Sequence, residues 1–99
     1  MCGAKAGGPS TEGVTLDNES VVQGTVTRGG EPVAGAYVRL LDGGGEFTAE
    51  VPTSATGQFR FYAAPGRWTL RTLAPSSAAV DRSVVAAKGS VVEVAVSLD

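Results

Sequence analysis

The most reactive side chain in this sequence is its single cysteine, Cys2. Removal of Met1, which occurs when the second residue is small, would make Cys2 the N-terminal residue, and the nearby α-ammonium group would favour its thiolate. A thiolate attacks sulfane sulfur, so we predict that Cys2 accepts sulfur and holds it as a persulfide. The alternative is an incidental cysteine in an unstructured tail.

Arginine and tyrosine form a second candidate group, on segments where polar and apolar residues alternate. Both residue types are enriched at protein interfaces, and the guanidinium group also suits an oxyanion such as thiosulfate or sulfate. Arg60 and Arg71 are expected to point outward from adjacent strands. We predict a docking or anion-binding face that contains Tyr37, Arg39, Arg60, Tyr62, Arg67 and Arg71. The alternative is a solvated sheet face whose arginines pair with Glu46 and Glu50 across strands.

Several chemistries lack the residues that they need. The chain has no histidine, which removes histidine-activated serine and cysteine nucleophiles. One cysteine and no histidine leave too few ligands for most zinc sites. The glycines at 43–45 lack the lysine and helix of a phosphate-binding loop, and Asp42, Glu46 and Glu50 lack the spacing of a calcium site. We therefore predict no enzymatic activity, no metal and no cofactor.

Charge and hydropathy limit the partners and the location. The net charge of −2 provides no basic field for nucleic acid or anionic lipid. No apolar run approaches the ~20 residues that span a bilayer, and the glycine-rich N-terminus lacks the apolar stretch of a signal peptide. A small secreted domain would more often carry paired cysteines. We predict a cytoplasmic protein without nucleic-acid or membrane partners.

The elements that would position these residues are strands. The sequence is rich in valine, alanine and threonine and contains 14 glycines and 5 prolines, which favours short strands and turns over helices. Residues 1–18 show neither the helical nor the strand period, so we predict a flexible N-terminal arm. Residues 19–99 are predicted to form one β-sandwich domain.

Alternation with a period of two predicts seven short strands. Phe59, Phe61, Trp68 and Leu70 are expected in the core, which we favour over a sugar-stacking platform. The tight turn at 64–66 predicts that the strands on either side of it are antiparallel neighbours. The predicted fold is a seven-stranded antiparallel β-sandwich, with strands near residues 22–27, 37–40, 47–53, 58–62, 67–72, 79–86 and 92–98. The third strand is expected at an edge because Pro52 cannot donate to a ladder.

Four segments together resemble a known fold family. They are Gly24-Thr-Val, Gly30-Glu-Pro-Val-Ala-Gly-Ala-Tyr-Val-Arg-Leu, Thr56-Gly-Gln-Phe-Arg-Phe and Ala64-Pro-Gly-Arg-Trp-Thr-Leu. In this order they resemble the carboxypeptidase regulatory-like domain, a transthyretin-like sandwich, over roughly residues 20–98. The resemblance implies the fold but not the function, since such sandwiches serve as adhesion, binding and spacer modules.

A second resemblance is narrower. The segments Met1-Cys2-Gly3, Val38-Arg-Leu-Leu-Asp, Glu46-Phe-Thr-Ala-Glu-Val, Ser54-Ala-Thr-Gly and Phe59-Arg-Phe-Tyr-Ala-Ala-Pro-Gly-Arg-Trp-Thr-Leu-Arg are similar to the small actinobacterial SseC proteins. That family is a domain of unknown function associated with sulfur metabolism, typically encoded beside a rhodanese-type thiosulfate sulfurtransferase. The resemblance implies a sulfur-transfer context and assigns no catalytic residue.

Two functions are therefore expected in order of preference. The first is a non-catalytic accessory protein in sulfur metabolism that docks to a rhodanese-type sulfurtransferase, with Cys2 as the sulfur acceptor. The second is a ligand-binding or structural sandwich without sulfur chemistry, which would recognise a carbohydrate or a peptide at its loops.

Overall fold

The computed structural model describes residues 4–6 and 20–98. These residues form strands and no helix. The strands are β1 (Ala4–Ala6), β2 (Ser20–Arg28), β3 (Glu31–Pro32), β4 (Tyr37–Leu41), β5 (Phe47–Pro52), β6 (Gln58–Ala63), β7 (Gly66–Leu73), β8 (Val80–Ala86) and β9 (Val91–Ser97).

The strands belong to two sheets whose inner faces share one core. Sheet I has the order β1-β6-β2-β3, with β9 also paired to β2, and sheet II has the order β5-β4-β7-β8. The predicted all-β sandwich is confirmed, and each of the predicted strands is present. The short strands β1 and β3 are additional. Strand β1 lies within the predicted N-terminal arm, and the remainder of that arm, including Cys2, lies outside the described residues.

The core follows the predicted alternation. Phe59, Phe61, Trp68 and Leu70 are all buried and form one cluster with Val38, Leu40 and the inward-facing valines of β2 and β9. Strand β5 is an edge strand of sheet II, as predicted. The alternating pattern therefore assigned the inward faces of these strands correctly.

The strands on either side of the 64–66 turn are not neighbours, so that prediction was wrong. Strand β6 pairs with β1 and β2 in sheet I, whereas β7 pairs with β4 and β8 in sheet II. The chain crosses between the sheets at Ala64 and Pro65, and Pro65 has no N–H to donate to a ladder. The indole Nε1 of Trp68 donates a hydrogen bond to the carbonyl oxygen of Ala64 at 2.9 Å. The short connection is therefore a corner of the sandwich and not a hairpin.

One pairing departs from the predicted antiparallel pattern. Strand β9 runs parallel to β2, with Val21 opposite Val91 and Thr27 opposite Ser97. A tight hairpin forces antiparallel pairing, but the chain reaches β9 from β8, which lies in the other sheet. The direction of β9 therefore depends on how the two sheets pack.

One buried hydroxyl group of the core has no hydrogen-bond partner in the part of the chain that the structure describes. Thr72, on β7, is fully buried, and among the described residues its Oγ1 has no hydrogen bond. We expect Thr72→Val to raise the free energy of unfolding by about 1 kcal/mol, because valine has nearly the same shape and no polar group to desolvate. Urea denaturation of the full chain measures this change.

Thr53→Val is the matched control for this substitution. The Thr53 hydroxyl accepts a hydrogen bond from the backbone N–H of Ala36 at 3.0 Å and donates one to the carbonyl oxygen of Val33 at 2.7 Å. Its removal should lower the free energy of unfolding by about 1–3 kcal/mol. Equal losses of stability in both variants would contradict the assignment of Thr72 Oγ1 as unpaired.

Candidate functional site

A row of charged side chains crosses the outer face of sheet II. Arg39 on β4 lies opposite Arg71 on β7, and each arginine lies opposite an acidic residue on its other side, Glu50 on β5 and Asp81 on β8. The alternation that buries Val38, Leu40 and Leu70 directs these four side chains outward. We call Glu50, Arg39, Arg71 and Asp81 the charged row.

The two arginines of the charged row are paired differently. Arg39 Nε donates to Glu50 Oε2 at 2.8 Å, whereas Arg71 donates through both Nε and Nη2 to Asp81 Oδ1 and Oδ2, at 2.9 and 3.0 Å. The hydrogen bond from Arg71, assisted by its charge, lowers the pKa of Asp81. Because these side chains are 31–47% exposed, the ion pairs contribute little to stability.

Exposed apolar and aromatic side chains flank the charged row. Tyr37 and Phe47, on either side of Arg39, are 50% and 60% exposed, and Val85, opposite Arg67 and four residues beyond Asp81 on β8, is 62% exposed. The guanidinium carbon of Arg39 lies 5.9 Å from the centroid of the Phe47 ring, within the range of a cation–π contact. The charged row together with Tyr37, Phe47, Arg67 and Val85 is called the sheet-II face below.

The residues of the predicted docking or anion-binding face are divided between the two sheets. Tyr37, Arg39, Arg67 and Arg71 lie on sheet II, whereas Arg60 and Tyr62 lie on β6 in sheet I. The expectation that Arg60 and Arg71 project from adjacent strands was wrong, because the chain changes sheets between them. Tyr62 is also buried, at 7% exposure.

The ion pairing was anticipated only in part. Arg39 pairs with Glu50, as the solvated-face alternative expected, but Arg71 pairs with Asp81 and not with Glu46. Asp81 lies in the predicted strand 79–86, and the expected pairings did not include it. Val84 and Ala86 on this strand are buried, and Asp81 lies an odd number of residues from both. Strand alternation therefore places Asp81 on the outer face.

Arg60 lies in a groove on sheet I that the sequence pattern does not predict. The groove has a volume of about 320 Å³ and is lined by β2, β6, β9 and the end of β5. Arg60 Nε donates to Gln23 Oε1 at 2.7 Å, and Gln23 Nε2 donates to Glu93. These three residues lie in register across three strands, an arrangement that depends on the parallel placement of β9.

The wall of the groove is held by hydroxyl groups. Ser54 Oγ accepts a hydrogen bond from the backbone N–H of Gln58 at 3.1 Å, and Thr53 is bonded to the 33–36 segment.

Within residues 20–98 and the short strand β1, no cluster of three or more histidine, cysteine or acidic side chains could hold a metal ion. The described part of the chain also contains no helix that could cross a membrane.

The fold and these surfaces define a small all-β sandwich domain with an arginine-bearing outer sheet face. Residues 2–98 match the family described as "Protein of unknown function (DUF1416)", and the chain belongs to that family. A relative from Mycolicibacterium smegmatis, named as an uncharacterised protein, is 57% identical over 79% of this chain and 86% of its own length. The family match indicates no catalytic class.

Solved structures confirm the sandwich fold. The Bacillus anthracis TIE protein aligns with 83% of this chain and 16% of its own length, at a TM-score of 0.72 and 14% identity. The dioxygenase domain of a dioxygenase and carbohydrate-binding protein fusion from Streptomyces sp. SirexAA-E aligns with 89% of this chain and 84% of its own, at a TM-score of 0.68 and 14% identity. At such identities the likeness is one of fold alone.

Proposed function

We propose that this chain is a non-catalytic accessory protein that docks to a partner protein through the sheet-II face. The observation that carries the proposal is the exposure of Tyr37 and Phe47 beside the charged row, and of Val85 further along the same sheet face. Aromatic residues and arginine are the side chains that most often dominate binding at protein interfaces. A sheet face that presents them together is suited to a protein surface.

The partner that we propose is a rhodanese-type thiosulfate sulfurtransferase, in the cytoplasm. This choice rests on the resemblance of segments such as Phe59-Arg-Phe-Tyr-Ala-Ala-Pro-Gly-Arg-Trp to the SseC proteins. The proposed location rests on the single cysteine, because small secreted domains more often carry paired cysteines.

Cys2 is the proposed sulfur acceptor in this complex, and it lies outside the described residues. Its thiolate would attack the outer sulfur of a persulfide on the sulfurtransferase. A new S–S bond forms on Cys2 while the S–S bond of the sulfurtransferase breaks, and the sulfurtransferase thiolate leaves with the electron pair. One neutral sulfur atom is transferred, so no oxidant or reductant is needed.

The docking surface is tested with two identical substitutions on opposite sheets. Val85 on sheet II and Val91 on sheet I are both exposed valines. Because docking would bury the exposed valine, we expect Val85→Ser to weaken binding of the purified sulfurtransferase at least about fivefold, and Val91→Ser to leave it unchanged, as measured by isothermal titration calorimetry. Equal effects of the two substitutions would contradict docking through the sheet-II face, and absence of binding by the unmodified chain would contradict this partner.

Sulfur transfer is tested in the same mixture after addition of thiosulfate. Intact-mass analysis should show an adduct of about 32 Da, one sulfur atom, that a thiol removes. Cys2→Ser is the control and should acquire no adduct. An unmodified Cys2 in the presence of a persulfidated sulfurtransferase would exclude the acceptor role while leaving the docking proposal intact.

The groove on sheet I favours a second candidate function, the binding of a small ligand or a peptide. Its volume of about 320 Å³ lies within the usual range for ligand sites. Among the described residues that line the groove, Phe59 alone is aromatic, and it is buried. The groove presents amide and hydroxyl groups, so a peptide suits it better than a stacked sugar. Peptide-array binding that is lost in Gln23→Ala would support this candidate.

A further inference from the structure

We infer that Arg39 is the anchor of the sheet-II face and that it binds a carboxylate group on the surface of the partner protein. This inference rests on the proposed docking function and adds the chemistry of the partner. It follows from the unused hydrogen-bond donors of Arg39, the charge pattern of the row and the apolar side chains on either side.

Arg39 makes fewer hydrogen bonds through its guanidinium group than Arg71 does. Arg71 holds both oxygens of Asp81, whereas Arg39 uses Nε alone for Glu50. Among the described residues, the terminal Nη groups of Arg39 have no hydrogen bond, and its side chain is 43% exposed. A guanidinium group with two free terminal nitrogens can bind a carboxylate in the bidentate geometry that arginine favours.

The aromatic rings on either side of Arg39 add apolar contact area to the site. Phe47 lies beneath the guanidinium group at 5.9 Å, and Tyr37 is exposed on the same strand and the same face. A free sulfate or thiosulfate ion would leave these rings in water. An acidic side chain on a folded protein would also bury them, so the geometry fits a carboxylate with apolar neighbours.

The charge pattern disfavours a second copy of this chain as the occupant. Across the four strands the row reads acid, arginine, arginine, acid. In a face-to-face dimer with its twofold axis through the midpoint of the row, parallel or perpendicular to the strands, each charge would meet a like charge. Such an arrangement is repulsive, so the complementary occupant is a different protein with acidic groups opposite the central arginines.

Three substitutions test the inference in calorimetric titrations with the purified sulfurtransferase. Arg39→Gln should weaken binding about tenfold or more, because it removes the anchor. Glu50→Gln should tighten binding about twofold to fivefold, because it releases Arg39 and removes a negative charge that faces an acidic partner. Arg28→Gln, on sheet I, is the control and should have no effect. If Arg39→Gln and Glu50→Gln weaken binding equally, their ion pair is only structural and the inference is overturned.

A second measurement separates this inference from the proposed partner. In the full chain, the Arg Nε–H signals are followed by NMR during titration with a hexaglutamate peptide at low salt. A larger shift at Arg39 than at Arg71 supports the carboxylate site even if the sulfurtransferase fails to bind, an outcome that would contradict the proposed function alone. No shift, equal shifts at both arginines, or the same response to sulfate at equal charge would overturn the inference.

Discussion

Gly24→Ala is expected to lower the free energy of unfolding by about 3 kcal/mol or more, at the upper end of overpacking effects. A Cβ atom at this position would lie 1.8 Å from the carbonyl oxygen of Val94 and 2.9 Å from Cζ of Phe59. The first contact is with backbone, so β9 would have to separate from β2. Urea denaturation of the full chain, followed by circular dichroism, measures the loss.

Gly43→Ala provides the control for this prediction. The nearest atom to a Cβ at Gly43 is the carbonyl oxygen of Arg67, at 3.9 Å, which is an ordinary contact. The change in its free energy of unfolding should stay within about 0.5 kcal/mol. If Gly24→Ala were as stable as Gly43→Ala, the close approach of β9 to β2 described above would be incorrect.

The sequence alone predicts which face of each strand is buried, but it does not explain why position 24 requires glycine. Its position between Val22 and Val26 indicates an inward-facing residue, and all three are indeed buried. The need for glycine comes from Val94 and Phe59, which lie on β9 and β6 on either side of β2. Val94 is 70 positions away along the chain, and no local pattern identifies it as a neighbour.

The same limit explains the errors in strand pairing. Alternation depends on which side of a strand faces the core, and it is identical whether two strands share a sheet or face each other across the core. Phe61 and Trp68 therefore satisfy the pattern equally well in a hairpin and in a corner. The choice depends on the packing of the two sheets, which the residues around Pro65 do not reveal.

The candidate site was predictable in composition but not in assembly. Tyr37, Arg39 and Arg71 were expected to point outward, and they do so on neighbouring strands. The pairing of Arg71 with Asp81 and the separation of Arg60 onto the other sheet both depend on strand order. Residue type and alternation thus identify which side chains point outward to solvent, whereas strand order determines which of them lie next to one another.

Trp68→Ala is expected to lower the free energy of unfolding by about 3–5 kcal/mol. The indole is 9% exposed, belongs to the common core, and bonds to Ala64 in the corner that joins the two sheets. Truncation would leave a cavity and an unpaired carbonyl at the same place. Circular dichroism must follow the denaturation, because Trp68 is the only tryptophan and the variant lacks its fluorescence.

Trp68→Phe separates the two contributions to this loss. Phenylalanine retains most of the buried ring but cannot donate to the Ala64 carbonyl, so this variant should lose about 1–3 kcal/mol. A Trp68→Ala variant that unfolds at the same urea concentration as the unmodified chain would contradict the core assignment. It would instead favour a binding role for the ring, since a stacking platform loses affinity and not stability when it is truncated. The burial of Trp68 beside the corner favours the first outcome, in which the indole holds sheet I and sheet II together where the chain passes between them.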